Sequence, residues 1–317
     1  MSHPTLWVLP VDPQAVMDQH AKSFSWAARL LGTKARRDAA LLYAYARAGD
    51  DFADEVHLGS LEQRSQALQE MRRGALNAEA GGKAPAEESI AVLTGMMLRH
   101  HSIPAAVLEK FMDSLQADTS ARHIQSTAEL LHFAYGVAGT VGQMMRPLLG
   151  ASPASDSHAI ALGIAMQLTN IARDVVEDAH RQRCYIPAQW GISLSLMATP
   201  SNTSERSIAF AALQRLLALS DDFYAYAHAG FAAIPSHNRR AIRAAAALYQ
   251  GIGKKILQRG PEHYWSGRVY LTRAEKIKTL VQALFLGSSP AGLLVVRDVW
   301  SDDLSHLVGI HGFPAAH

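Results

Sequence analysis

The 317-residue chain has a single cysteine, Cys184, so no internal disulfide can form, and a reducing compartment, the cytoplasm, is the expected setting. Neither sign of charge is in excess. The 30 Lys and Arg against 28 Asp and Glu leave a net +2, which gives no electrostatic case for nucleic acid, and no helix-turn-helix or zinc-finger spacing supplies another. Met1–Gln19 lacks the basic start and apolar core of a signal peptide. Long apolar runs are missing as well: Leu284–Leu286 and Leu293–Val296 fall far short of the roughly 20 residues that span a bilayer. There is also no P-loop, dinucleotide glycine fingerprint or Ser/His/Asp array, which removes the commonest nucleotide-binding and hydrolase readings.

With 49% hydrophobic residues the chain can bury a sizeable core. It shows no repeat of fixed period, no low-complexity tract and no alternating strand block, so an all-α fold in one domain over 1–317 is expected. Residues 1–20 read as a lead-in and 290–317 as a tail, neither with a legible structure. Helical patterns cover Lys22–Leu31, Lys34–Glu55, Ile90–His100, Ala105–Asp118, Thr127–Leu149, Ser207–Ala233, Asn238–Arg259 and Thr272–Phe285, the last with Thr272 as its cap. Asn77–Glu88 and Ala198–Arg206 read as loops, and Ala151–Ser157 as a turn offering Ser155 or Ser157 to cap a central helix. Gly136, Gly139 and Gly142 lie inside a helical pattern at about 1 kcal/mol each relative to Ala, which requires close approach of substrate or of another helix.

The chemistry concentrates in that central helix, QLTNIARDVVEDAHRQRCYIP, Gln167–Pro187. Asn170, Asp174 and Asp178 stand at i, i+4 and i+8 with Gln167 a turn earlier, while Leu168, Ile171, Ala172, Val175 and Val176 form a face that can bury. Alone, such a motif is usually a solvated acidic face with an Arg173–Glu177 ion pair. A second pair changes the weighing. In YAYARAGDDFADE, Asp50 and Asp54 repeat the i, i+4 spacing, with Asp51 and Glu55 beside them and Tyr43 and Arg47 on the preceding turns. Two such helices facing each other would line a cavity with carboxylates, suited to Mg²⁺, which binds through one or two carboxylates plus substrate phosphates.

Arg47, Arg173, Arg181 and Arg183 lie beside these acids in sequence, and guanidinium forks match phosphate oxygens. Pro187 should hold the segment around Arg183 and Tyr185 as a loop over the mouth. Asp118 could add a carboxylate from a third helix, although an isolated Asp at a helix end is more often a cap or solvated. Phe24, Tyr43, Tyr135 and Tyr249 could stabilise a carbocation in a dry cavity, against a core-packing role for each. His100-His101 has no partner spacing for a metal and reads as a polar helix end.

The set SFSWAARLL, YAYARAGDDFADE, YGVAGTVGQMM, QLTNIARDVVEDAHRQRCYIP and LYQGIGKKILQRGPEHYWSGRVYLTRAEK resembles the head-to-head prenyl synthases, the squalene/phytoene synthase family, over roughly Ala21 to Leu286. The resemblance implies the isoprenoid synthase helical fold, Mg²⁺ or Mn²⁺ as cofactor and two prenyl diphosphates as substrates. It implies Asp50, Asp54, Asp174, Asp178 and Asn170 as metal ligands, with Tyr43, Arg47, Tyr135, Asn170, Arg173 and Tyr249 as catalytic residues. Ser23, Phe24, Arg47, Gln167, Arg183 and Arg268 would surround the diphosphate or the cavity wall. Ala46 departs from the pattern, since relatives often carry cysteine there.

The continuation after QLTNIARD is most similar to members that join two geranylgeranyl diphosphates through a cyclopropylcarbinyl diphosphate to phytoene, without NADPH. Two alternatives stand beside that expectation: a C15-using enzyme making presqualene diphosphate, squalene or dehydrosqualene, and a non-catalytic scaffold of the same fold. An apolar product would partition into lipid, so a peripheral contact at the inner face of the membrane stays open. The sequence carries no signal of oligomeric state.

Overall fold

A computed structural model describes residues 12–82 and 89–285. The first helices are α1 (Pro13–His20), α2 (Lys22–Ala28), α3 (Thr33–Asp54), α4 (Leu61–Glu79), α5 (Ile90–His100) and α6 (Ala105–Ala117). A broken helix follows, α7 (Thr127–Ala134), a π turn at Tyr135–Gly139, and α8 (Thr140–Leu148). The central α9 (Asp156–His180) leads to α10 (Leu194–Ala198), α11 (Thr203–Gly230), α12 (Ser236–Tyr264) and α13 (Arg273–Phe285). Two two-residue strands, β1 (Arg122–His123) and β2 (Arg183–Cys184), pair in parallel.

The middle of α9 is apolar nearly all round because it is enclosed by α8, α11 and α12. Ile160, Ile164, Leu168, Ile171 and Val175 recur every three or four residues and are at most 4% exposed, each contributing on the order of 2 kcal/mol. Pro153–His180 is long and apolar enough to cross a bilayer by length and composition, yet half of that window is buried here; α9 is a core helix.

Two glycines set how closely α8 and the π turn before it approach α9. A Cβ on Gly142 would lie 2.1 Å from the Ala159 carbonyl oxygen, and one on Gly163 would lie 2.1 Å from that of Ala138. Helix approach by itself requires the glycine at 142, which also lines the cavity described below.

Several sequence expectations need correction. Pro13–His20, within the stretch whose structure was not legible in the sequence, is helical, with the Asp12 carboxylate accepting from the Gln14 N–H. The helix α4 is absent from the expected set, although Ser60 and Gln63 form a capping box; it takes Asn77–Glu79 out of the expected loop, of which residues 83–88 lie outside the described residues. Asn202 caps α11 and pulls Thr203–Arg206 from loop into helix. Ser155 stands before α9 but hydrogen-bonds the Ser152 carbonyl and leaves the helix without a side-chain cap. The expected stop at Arg259 holds, since Gly260 adopts φ 71° and Pro261 follows. Thr272 accepts from the Glu275 N–H as expected. Residues 1–11 of the expected lead-in, and the whole of the expected tail, 290–317, lie outside the described residues.

Candidate active site

The C-terminal half of α3 and the C-terminal half of α9 carry the two acidic pairs toward each other. Burial, then the negative charges of Asp174 and Asp54, raise the Asp178 carboxyl well above the usual range, which places Asp54 of α3 within electrostatic reach of α9. Asp50 is pushed up to about 7, by burial first and by the charge of Asp54 next. These acids therefore face a shared space rather than bulk water.

Arginines bind the other carboxylates. Arg173 does not pair with Glu177 but clamps its neighbour Asp174 through two hydrogen bonds, Nε to Oδ1 at 2.7 Å and Nη2 to Oδ2 at 2.5 Å. Arg268, half-exposed, reaches the same Asp174 Oδ1 at 2.8 Å. Arg47 pairs with Asp51. Arg181 donates to Asp54 Oδ2 at 3.1 Å.

Arg183 is 7% exposed and donates to Asp54, to the Ala53 carbonyl at 3.2 Å and to the Asp118 carbonyl at 2.7 Å. The segment after α9 is thus not a free loop. Its β2 strand pairs with β1, and Arg183 fastens it to the end of α3. Asp118 is neither a side-chain cap nor solvated: at 7% exposure its Oδ2 accepts from the Tyr185 hydroxyl at 2.8 Å.

Behind the mouth lies an apolar cavity of about 1280 Å³, counting space open at its entrance. Phe24, Tyr43, Gln167, Asn170 and Tyr249 line its entrance side, with Ala46 on the wall; Val137, Val141, Leu162 and Met166 continue it, and Leu149, Ala151, Ile234 and Ile242 line it further in. Phe24 and Tyr43 stack with centroids 6.3 Å apart. Burial raises both the Tyr43 and the Tyr249 hydroxyls, so they stay neutral donors.

Of the residues singled out by sequence, Tyr43, Arg47, Asp50, Asp54, Gln167, Asn170, Arg173, Asp174, Asp178, Arg183, Tyr249 and Arg268 surround this mouth. Tyr135 does not line the cavity. It is 2% exposed, its ring lies against Gly139, and burial followed by the charge of Asp156 pushes its hydroxyl up to about 12. Ser23 sits in α2 beside Phe24. His100 and His101 are taken by Lys34 and Asp38, each at 2.9 Å.

The inner wall from α11 and α12, Ala227, Gly230, Phe231 and Ala245, was not anticipated. For Ala245 the small-residue run AAAALYQGIG was the signal, since small side chains leave room for a cavity between packed helices; Ala227, Gly230 and Phe231 lie outside that run.

The donor set fits a small hard divalent cation. Asn170 Oδ1 is buried with no hydrogen-bond partner among the described residues, and Asp50 and Asp178 hold raised carboxyls that a nearby positive charge would relieve. No group of three or more His, Cys, Asp or Glu among the described residues is gathered as a closed cage. Facing pairs instead suit ions that take one or two protein carboxylates each and fill their shell from phosphate and water.

The fold and mouth define a class: an all-α protein with facing acids and arginines at the entrance of an apolar cavity. The squalene/phytoene synthase family model matches residues 17–275, and the chain belongs to that family. It is 33% identical to the 15-cis-phytoene synthase of Pantoea ananas over 294 residues, covering 89% of this chain and 92% of that one. It is 34% identical to the 15-cis-phytoene synthase of Paracoccus sp. (strain N81106 / MBIC 01143), covering 83% and 86%. In fold it is similar to a dehydrosqualene synthase solved with a ligand, with a TM-score of 0.73, 22% identity and coverage of 86% and 93%.

Proposed function

We propose that this protein is a prenyltransferase that joins two geranylgeranyl diphosphates head to head, through a cyclopropylcarbinyl diphosphate, to phytoene, a step of carotenoid synthesis. The observation that carries the reading is the pair of acidic motifs at the entrance of one apolar cavity, and the names of the relatives support it.

Asp50, Asp54, Asp174, Asp178 and Asn170 would hold Mg²⁺ or Mn²⁺, which when bound supplies positive charge to the departing diphosphate. The protein's own share follows from its side chains. Arg47, Arg173 and Arg268 can turn from their carboxylates to phosphate oxygens, adding donors where charge develops. Phe24, Tyr43 and Tyr249 present ring faces and neutral hydroxyls to the allylic cation without attacking it. The apolar wall from Val137 to Ile242 keeps two chains aligned and water away, so that the second chain's double bond is the available nucleophile. Loss of a proton closes each half-reaction. Such a hydrocarbon dissolves only in lipid, so a cytoplasmic enzyme touching the inner face of the membrane is part of the proposal.

The test is incubation of purified protein with Mg²⁺ and, separately, geranylgeranyl or farnesyl diphosphate, with and without NADPH, followed by mass analysis of the extracted lipid. A C40 hydrocarbon from the C20 substrate without NADPH is the expected result. C30 products alone would replace the reading with a C15-using synthase, and no product from either substrate would favour a scaffold.

A further inference from the structure

The two ends of α3 carry opposite charge. Its last turns hold Asp50, Asp51 and Asp54, whereas its first turn holds Lys34, Arg36 and Arg37 and no acid. The last turn of α5 adds Arg99 and His100, with Lys34 Nζ 2.9 Å from His100 Nε2. The start of α12 joins them. The Gly32 N–H donates to Asn238 Oδ1 at 3.1 Å, which brings His237, Arg239 and Arg240 to the same end of the molecule.

Few acids oppose this group: Asp12 and Asp38 line the same cleft as Arg36, Arg37 and His100, and Asp38 is engaged by His101. Among the described residues Arg36, Arg37 and Arg240 are exposed and have no ion-pair partner. Met96 in the cleft is 54% exposed and Leu30 nearby in the chain 38%.

This basic end lies against the inner end of the apolar cavity. Asn238, which accepts from Gly32, donates through Nδ2 to the Leu149 carbonyl at 3.1 Å, and Leu149, Ala151, Ile234 and Ile242 line the cavity there. The acids of the mouth are remote, because sixteen helical residues from Lys34 to Asp50 span about 24 Å. That is roughly three Debye lengths at physiological salt, so their repulsion of an anionic surface is screened away.

We infer that the face formed by the starts of α3 and α12 and the end of α5 docks on an anionic phospholipid surface, turning the inner end of the cavity toward the lipid. Clustered Lys and Arg supply the attraction, and Met96 and Leu30 supply apolar groups for the headgroup boundary. The benefit to an apolar product rests on the proposed function; the docking itself does not.

The experiment is co-sedimentation of the full chain, without substrate, with phosphatidylcholine vesicles and with vesicles containing 30% phosphatidylglycerol, a composition chosen for the assay. Each basic residue near such a surface is worth about fivefold in partitioning, so Arg36→Gln, Arg37→Gln and Arg240→Gln together should lower binding roughly a hundredfold. Arg206→Gln, a basic surface change on α11 paired with Glu262, should leave it unaltered. Circular dichroism and the thermal midpoint establish that the triple variant is folded, and its turnover in detergent should match the parent. Equal binding to both vesicle types, or a triple variant that binds as the parent does, overturns the inference. So does a parent that ignores anionic vesicles at low salt, which would assign the basic face to an acidic protein. Vesicle binding is read without turnover, so its failure is distinct from failure to make a C40 product.

Discussion

Replacing Asp50 by Asn should destroy activity and yet stabilise the metal-free protein. The Asp50 carboxyl is held at about 7 in the folded chain against 3.8 for the ordinary group, by burial first and by Asp54 next. Below 3.8 the group is neutral folded and unfolded, so it contributes nothing. As pH rises the unfolded chain gives up this proton while the folded chain retains it, and stability falls until pH passes about 7. The difference corresponds to an upper bound of about 4 kcal/mol at pH 8. Asp50 keeps some accessible surface in the cleft, and solvent screening brings the working figure to about 2 kcal/mol.

Asp50→Asn carries no such charge and should escape this loss. Urea unfolding with a chelator at pH 5 and pH 8 reads the effect. The parent should lose about 1 kcal/mol more than the variant between the two pH values, since part of the penalty is already present at pH 5, and the full difference of about 2 kcal/mol at pH 8 corresponds to a thermal midpoint about 3 °C higher for the variant. Turnover with Mg²⁺ should be gone. A variant no more stable than the parent at pH 8, or one that keeps full turnover, would refute the reasoning.

Other perturbations follow from the same geometry. Arg183→Met takes one donor from Asp54, which keeps Arg181, one from the Ala53 carbonyl, which keeps Arg64, and the side-chain donor of the Asp118 carbonyl, and should cost about 1.5–3 kcal/mol in urea unfolding; a change under about 1 kcal/mol would show that the fastening is inert. Gly142→Ala forces α8 off α9, and a loss of about 1–3 kcal/mol is expected in the same assay. Ala151→Leu fills the inner end of the cavity and should lower kcat/KM for the C20 substrate at least tenfold while sparing the C15 substrate; an equal fall for both would place the limit elsewhere. Chelation should abolish turnover, and added Mg²⁺ or Mn²⁺ should restore it.

The face carrying Asn170, Asp174 and Asp178 was legible because helical spacing alone fixes which residues share a face, and the second pair at Asp50 and Asp54 made a facing arrangement the economical reading. What the arginines do was not legible. The choice of Arg173 between Glu177 and Asp174 depends on rotamers and on the approach of Arg268 from a distant segment. Asp118, Arg183 and Tyr185 form one buried unit only because a two-residue ladder joins segments about sixty residues apart, and two residues leave no periodic trace. The helix α4 was missed although Leu68, Met71, Ala75 and Ala78 mark its buried face; its many polar residues and Gly74 masked the period. Tyr135 stood among the aromatics that could face a carbocation, against a core-packing role; sequence does not tell these apart, and its ring is buried beside Gly139 away from the cavity lining.

The account's central claim is that the two acidic motifs act together on one diphosphate, and the most direct measurement is a crystal structure with Mn²⁺ and an unreactive thiolo analogue of the substrate, read by anomalous scattering. The account predicts ions about 2.0–2.3 Å from carboxylate oxygens of both Asp50/Asp54 and Asp174/Asp178, with diphosphate oxygens completing their shells and the chain in the apolar cavity. Ions bound by one motif alone, or a diphosphate held away from both, would contradict it.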